Sequence, residues 1–281
     1  MPGTAGTGWS SHYVGTVLRL ARGAVRQLLQ PPSHSSRAEA ARRLARHWLL
    51  MAIGGGAVIA GLMVFLDAWE IGLMPPRGTT SLWPLRVMTG FGKAENILWG
   101  LAAALLIVVL VAARLHGPSR ARLAAVGLRL QYLFLAVLVP VLAGEVIKGA
   151  VGRGRPFAGG HADAFNYSHF AWTERYASFP SGHATASFAL AFAVAALWPR
   201  MRVAAAIYAL LIIATRLVLL AHHPSDVTAG ALLGVAGAML VRYWFAARHL
   251  CFSIDRNGRI APLAGPSPDR FKGVAGDVPA P

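Results

Sequence analysis

Cysteine and acidic residues are scarce in this chain, and each scarcity excludes something. Cys251 is the single cysteine, so there is no internal disulfide and no zinc site built on thiolates. Charged residues make up only 14% of the sequence, against about 25% in an ordinary soluble domain. The 11 acids face 27 Lys and Arg, a formal charge of +16, which points to either nucleic acid or anionic lipid. Placement decides for lipid, because the cations cluster between long apolar blocks. No internal repeat or low-complexity tract is present, and with 56% hydrophobic residues the bulk of the chain is neither disordered nor collagenous.

Six stretches approach the roughly 20 apolar residues needed to cross a bilayer core: 48–66, 97–115, 123–147, 181–198, 203–221 and 227–246. The expected fold class is therefore all-α, an integral membrane six-helix bundle. The first ten residues hold no apolar core preceded by basic residues, so the first span is expected to act as the insertion signal. Orientation follows from Lys and Arg in short loops, which stay cytoplasmic during insertion. Arg19, Arg22, Arg26, Arg37, Arg42, Arg43 and Arg46 precede the first span; Arg114, Arg120 and Arg122, then Arg200 and Arg202, then Arg242 and Arg248 fall on the same side. Both termini are expected to be cytoplasmic, with the loops 67–96, 148–180 and 222–226 facing outward. Trp69, Trp83, Trp99, Trp172, Trp198 and Trp244 lie near span ends and read as headgroup anchors, and Arg129 is expected to snorkel toward the cytoplasmic interface.

Three segments result: a basic cytoplasmic segment 1–47, a membrane domain 48–246 and a cytoplasmic tail 247–281. Within the first, residues 13–30 set Val14, Val17, Leu18, Ala21, Val25, Leu28 and Leu29 on one helical face and Arg19, Arg22 and Arg26 on another, the pattern of an interfacial helix on an anionic leaflet. A solvated basic arm fits the same residues. Pro31-Pro32 followed by serines reads as a hinge, and the Gly- and Pro-rich tail from about 255 is expected to be disordered.

Three polar clusters sit at outward-facing span ends. Lys148-Gly149-Ala150-Val151-Gly152-Arg153-Gly154-Arg155-Pro156 combines three cations, whose guanidinium forks match phosphate oxygens, with glycines that let backbone wrap a ligand. Pro180-Ser181-Gly182-His183 opens the fourth apolar run, where unpaired backbone N–H groups and the helix dipole favour an anion. Ser181 also fits a plain helix cap, which leaves the imidazole unassigned. Thr215-Arg216 and His222-His223-Pro224-Ser225-Asp226 form the third, an arginine within a membrane span and a histidine four residues from a carboxylate. Each cluster alone has a bland reading as a headgroup contact or a cap. Together they suit a phosphoryl group: cations around the equatorial oxygens, one histidine attacking in line, the other protonating the leaving oxygen. No metal or cofactor is called for, since Glu145, Asp163, Glu174 and Asp226 show no magnesium-ligand spacing.

These residues resemble the three-part signature of the phosphatidic acid phosphatase type 2 superfamily: Lys148 and Arg155-Pro156, then Pro180 to His183, then Arg216, His222 and Asp226 at matching spacings, with Thr215 where Ser is usual. The resemblance implies that His222 is the nucleophile, forming a phosphohistidine that water hydrolyses. Asp226 would orient it and His183 would protonate the departing oxygen, while Lys148, Arg155, Ser181, Gly182 and Arg216 bind phosphate. Glu145, one turn before Lys148, is expected to pair with Lys148 or Arg216. Arg153 and His223 occupy unspecified positions and are expected in a supporting or solvent-facing place.

The expected function is a membrane lipid phosphatase acting at the outer face of the membrane, in a bacterium the periplasmic face of the inner membrane. Its partners are a lipid phosphate substrate and membrane lipids, with no nucleic acid. The resemblance offers undecaprenyl pyrophosphate, phosphatidylglycerophosphate, phosphatidic acid or a lipid A phosphate as substrate, and 157–176 as a headgroup-selecting lid. A lipid phosphotransferase would use the same residues. Vanadium-dependent haloperoxidases share the site chemistry but are soluble, and a transporter would show broken helices or repeats.

Overall fold

The computed structural model describes residues 7–76, 78–158 and 163–263. Most of them are helical: α1 (Thr7–Leu29), α2 (Arg37–Phe65), α3 (Asp67–Leu73), α4 (Trp83–Gly90), α5 (Ala94–Arg114), α6 (Gly117–Val151), α7 (Gly182–Leu197), α8 (Arg202–Val218) and α9 (Pro224–Ala247), followed by β1 (Phe252–Ile254) and β2 (Ile260–Pro262).

Five helical stretches among the described residues are long and apolar enough to cross a membrane: Arg37–Phe65, Thr80–Arg114, Gly117–Val151, Pro199–Val218 and Pro224–Ala247. The fourth expected span is the shorter α7, 16 residues or about 24 Å at 1.5 Å per residue, short of a hydrocarbon core of about 30 Å. Burial supports a lipid surround. The most apolar window of α2 is only 6% buried, and Leu49, Leu50, Ile53, Val58 and Val64 all point outward. A soluble protein rarely exposes so continuous an apolar face.

The core lies where α6, α7 and α9 meet. Ala136, Val137 and Val141 of α6, Ala186, Ala189 and Ala193 of α7, and Ala238, Val241 and Phe245 of α9 pack into one cluster. Small residues let helix backbones approach closely. At Gly230 and Gly234 a Cβ would overlap the carbonyl oxygens of Ser181 and Thr185, so these two glycines, four apart, set the crossing of α9 on α7. Because α6 to α9 alternate in direction, one end of the bundle collects the C-termini of α6 and α8 and the N-termini of α7 and α9.

The other end is closed by the N- and C-terminal segments. α2 begins at Arg37, so the boundary expected at residue 47 falls inside a helix, and Arg37, Arg42, Arg43 and Arg46 ride on its first turns. α1 is tied down at both ends: Tyr13 donates to the Leu110 carbonyl, and Trp244 and Arg248 donate to the carbonyls of Leu28 and Gln30. Val14, Leu18, Val25 and Leu29 are left on its exposed side.

Part of the tail expected to be disordered is ordered. β1 and β2 pair antiparallel, Phe252 opposite Pro262 and Ile254 opposite Ile260, around a turn with Asn257-Gly258 and Gly258 at φ +74°. Asn-Gly is a strong hairpin signal. Phe252 is buried edge-on against Tyr132, centroids 4.8 Å apart, and the Ile254 amide donates to His34 Nε2. Composition alone pointed to disorder because it does not register a turn dipeptide preceded by two buried apolar residues, Phe252 and Ile254. The tail beyond residue 263 lies outside the described residues.

Candidate active site

The four helix ends that converge at one end of the bundle carry the three motifs. Lys148 sits in the last turn of α6 and Arg155 in the loop that leaves it; Ser181 is the N-cap of α7, with Gly182 and His183 in its first turn; Arg216 is in the last turn of α8; and Asp226 is in the first turn of α9, just after His222 and His223. Backbone bonds lock these ends together. The Ser181 amide donates to the Asp226 carbonyl at 3.0 Å, and Lys148 Nζ lies where a Gly182 side chain would begin, 2.9 Å from that Cβ position. His183 is close enough to Arg216, His222 and Lys148 for their charges to act on it, and Arg155 is likewise close to His222 and Arg216.

His222 is buried. Its Nδ1 lies 2.9 Å from the Ser178 carbonyl oxygen. A carbonyl only accepts, so Nδ1 carries the proton and Nε2 of the neutral ring keeps its lone pair. Burial pushes the imidazole down to about 4; the Asp226 carboxylate opposes that shift, and the Arg216 and Arg155 guanidiniums reinforce it. The ring is therefore neutral at physiological pH, the state a nitrogen nucleophile needs.

Asp226 stands 3.8 Å from His222 Nδ1, beyond hydrogen-bond reach. Its oxygens are taken by other donors: Oδ1 by Arg153 Nη1 at 2.7 Å, Oδ2 by Ser178 Oγ and by the His223 amide at 2.9 Å. Ser178 thus stands between carboxylate and imidazole, its hydroxyl on one and its carbonyl on the other.

The phosphate-binding candidates show donors to spare. Ser181 Oγ and Arg216 Nε are buried without a hydrogen-bond partner, although buried polar groups are nearly always paired. Arg216 Nη1 donates to Thr89 Oγ1 of α4 at 3.0 Å, which aims the guanidinium from a helix that sequence reasoning did not connect to the site. Thr215 spends its hydroxyl on the Ile212 carbonyl of its own helix, a back-bond open to Ser or Thr alike. Lys148 Nζ pairs with Glu145 Oε1, so of the two cations expected for Glu145 it takes Lys148. Arg155 donates to the Glu174 carbonyl and lines a cleft of about 340 Å³ with Glu174, Arg175 and Leu219 to Ala221. Among the described residues no group of three or more His, Cys, Asp or Glu side chains could hold a metal ion.

One expectation changes, and for Arg153 the supporting place is chosen over the solvent-facing one. The glycines at the end of α6 accommodate the chain's own loop instead of wrapping a ligand: a Cβ at Gly149, in the last turn, would overlap the Trp172 ring, and one at the C-cap Gly152, at φ +58°, the Ser168 carbonyl. Arg153 faces the interior, 1% exposed and among the largest fully buried side chains. Burial opposes its charge, but Asp226 and Asp67 outweigh that and hold its pKa above the ordinary value. Asp67 is the residue sequence reasoning missed. Its signal was an acid at the very end of an apolar run, a placement that costs energy unless a cation is near.

A family model described as the PAP2 superfamily matches residues 129–250. These 122 residues, under half of the 281-residue chain, are what is similar to that family. The match runs from the middle of α6 through α9 and takes in all three motifs; α1 to α5 lie outside it. Over 127 residues the chain is 37% identical to a lipid A 1-phosphatase of Rhizobium johnstonii, covering 45% of this chain and 52% of that protein. A lipid A 1-phosphatase of Rhizobium etli is 36% identical over 127 residues, covering 45% of this chain and 55% of that protein. The chain thus aligns with about half the length of the curated relatives it matches. No solved structure gives a significant match.

Proposed function

We propose that this chain is a PAP2-type membrane lipid phosphatase that cleaves a lipid phosphate or pyrophosphate through a phosphohistidine on His222. The observation that carries the reading is His222 itself: buried, neutral and with Nδ1 held by the Ser178 carbonyl, so that Nε2 is the nucleophile. Nε2 attacks phosphorus, the bond from phosphorus to the lipid oxygen breaks, and His183 delivers a proton to that oxygen. The arriving phosphate anion favours the imidazolium form of His183 that this step needs. Water then attacks phosphorus, the P–N bond breaks, His183 takes the proton from water, and inorganic phosphate leaves. Lys148, Arg155, Arg216, Ser181 and the N-terminus of α7 stabilise the charge on the equatorial oxygens throughout. Asp226 acts electrostatically on His222 and, in this geometry, through Ser178.

The lipid A 1-phosphatase relatives make a lipid A phosphate the first substrate to test. The arginine distribution supports placing the site at the outer, periplasmic face of an inner membrane with both termini in the cytoplasm. A short α7 fits the same picture, with its N-terminus set within the membrane boundary where a lipid phosphate is reached from the side.

The test is inorganic phosphate release by detergent-purified protein from lipid A, phosphatidylglycerophosphate, phosphatidic acid and undecaprenyl pyrophosphate without added metal. The expected result is release from one lipid, abolished in His222→Ala and His183→Ala proteins that remain folded. Phosphate appearing on an added acceptor lipid instead would make it a phosphotransferase, and silence in both assays would overturn the reading.

A further inference from the structure

Behind the His222 turn lies a buried ionic relay that the phosphoryl chemistry does not itself use. Arg153 donates through Nη1 to Asp226 Oδ1 at 2.7 Å and to Ser225 Oγ at 2.6 Å, and through Nη2 to Asp67 Oδ2 at 2.8 Å. Its Nε and Nη2 also reach the Ala164 carbonyl. Asp67 Oδ1 accepts the Ser225 amide at 3.0 Å, and Oδ2 the Ser225 hydroxyl. Asp67, Arg153, Ser178, Ser225 and Asp226 are each at most 1% exposed. Taking a cation and two carboxylates out of water is costly, and an apolar cluster of similar volume is often as stable. What the relay does supply is geometry. It joins the start of α3, the loop after α6, the loop before α7 and the start of α9, and ends on the two groups that bracket His222.

We propose that Asp67, Arg153 and Ser178 are positioning residues of the active site: the relay holds Asp226 and the Ser178 carbonyl in place, and through them sets the orientation and electrostatic environment of His222. The proposal rests on the phosphatase reading above. Charges acting on His222 come from Asp226 of α9, Arg216 of α8 and Arg155 of the loop after α6; His183 of α7 lies near it, with Lys148 of α6 beside His183, and His223 is its neighbour in sequence. Removing the Arg153 charge unmasks Asp226 and raises the proton affinity of His222. Removing the Asp67 charge leaves Arg153 to Asp226 alone and lowers it.

The experiment measures kcat, KM and the pH profile of kcat/KM for R153Q, R153K, D67N and S178A in detergent, with monodispersity and thermal melting as the folding check. Imidazole nitrogen NMR of His222, assigned with H222N, reports its tautomer and titration without turnover. The expected loss in R153Q is about 100-fold in kcat, the scale of a 1 Å misplacement, with KM within threefold of wild type and partial recovery in R153K. The acid limb and the His222 titration move up by about one pH unit in R153Q and move down in D67N. Shifts of the same sign in both, kcat within twofold of wild type in both, or folded R153K no better than R153Q would overturn the proposal. Should R153Q not fold, D67N and S178A decide it: the predicted downward shift in D67N and a loss of the Nδ1–H tautomer or of kcat in S178A are required. A wild-type protein that releases no phosphate defeats the phosphatase reading, while the His222 titration still decides the relay.

Discussion

Substituting Gly230 by alanine tests how the helix crossing controls the site. A Cβ at Gly230 would overlap the Ser181 carbonyl oxygen and lie 3.0 Å from Ala184 Cβ and 3.2 Å from the Thr185 amide nitrogen. Two of these neighbours are backbone atoms in or beside the first turn of α7, so no side chain can swing aside. Relief requires α7 to slide off α9 by about 1 Å, and overpacking of this kind costs about 1–3 kcal/mol of stability. The sliding end carries Ser181, Gly182 and His183, and its Ser181 amide is bonded to the Asp226 carbonyl. A displacement of about 1 Å at catalytic groups lowers the rate about 100-fold. The assay is phosphate release from the lipid identified as substrate, with kcat and KM separated, alongside thermal melting in detergent. Gly61→Ala, where a Cβ meets nothing within 4 Å, is the control. The expected outcome is a kcat loss in Gly230→Ala that exceeds what its melting shift would explain by unfolding. A folded Gly230→Ala protein with wild-type kcat would refute the idea that backbone contact between α7 and α9 sets the end that carries Ser181 to His183.

Acid should silence the proposed phosphate release late. His222 is held down to about 4 from an ordinary 6.5, so the acid limb of kcat/KM is expected near pH 4, and a limb at 6 to 7 would contradict the neutral buried ring. The same shift makes stability fall with acid, because between pH 6.5 and 4 the unfolded chain binds a proton the folded one refuses; the His222 contribution is full above 6.5 and reaches a loss of about 3 kcal/mol below 4, readable as a declining melting temperature over that window. Gly152→Ala introduces a Cβ at φ +58° that would overlap the Ser168 carbonyl. It is expected to destabilise by at least about 1–2 kcal/mol and to free the loop packed on the end of α6, seen as faster proteolysis near residues 163–172; unchanged melting would refute it.

The three motifs were legible because their residues lie at close sequence spacings, and the fold brings Lys148, Arg155, Ser181, His183, Arg216, His222 and Asp226 to one end of the bundle. The apolar runs were legible because a bilayer demands length and hydropathy that few other environments do. The hairpin at 252–262 was missed because composition overlooks its Asn257-Gly258 turn, and because the seat of Phe252 against Tyr132 is a contact 120 residues away in the chain. Arg153 and Asp67 were beyond reach for the same reason. A pair 86 residues apart leaves no periodicity, and an arginine in a glycine-rich loop reads equally as a supporting or a solvent-facing cation until its partners are known.

Taken by itself, the sequence determined that this chain is rich in membrane-length helices and carries cations, histidines and a carboxylate at their ends, since both properties are local in the chain. The tertiary structure alone decided that Asp226 meets Ser178 and Arg153 instead of bonding His222 directly, that Thr89 aims Arg216, and that the loop glycines make room for the chain's own backbone. Those outcomes depend on which helix ends meet and at what distance. Packing at residues such as Gly230 and Gly234 sets that distance, and no spacing along the chain encodes it.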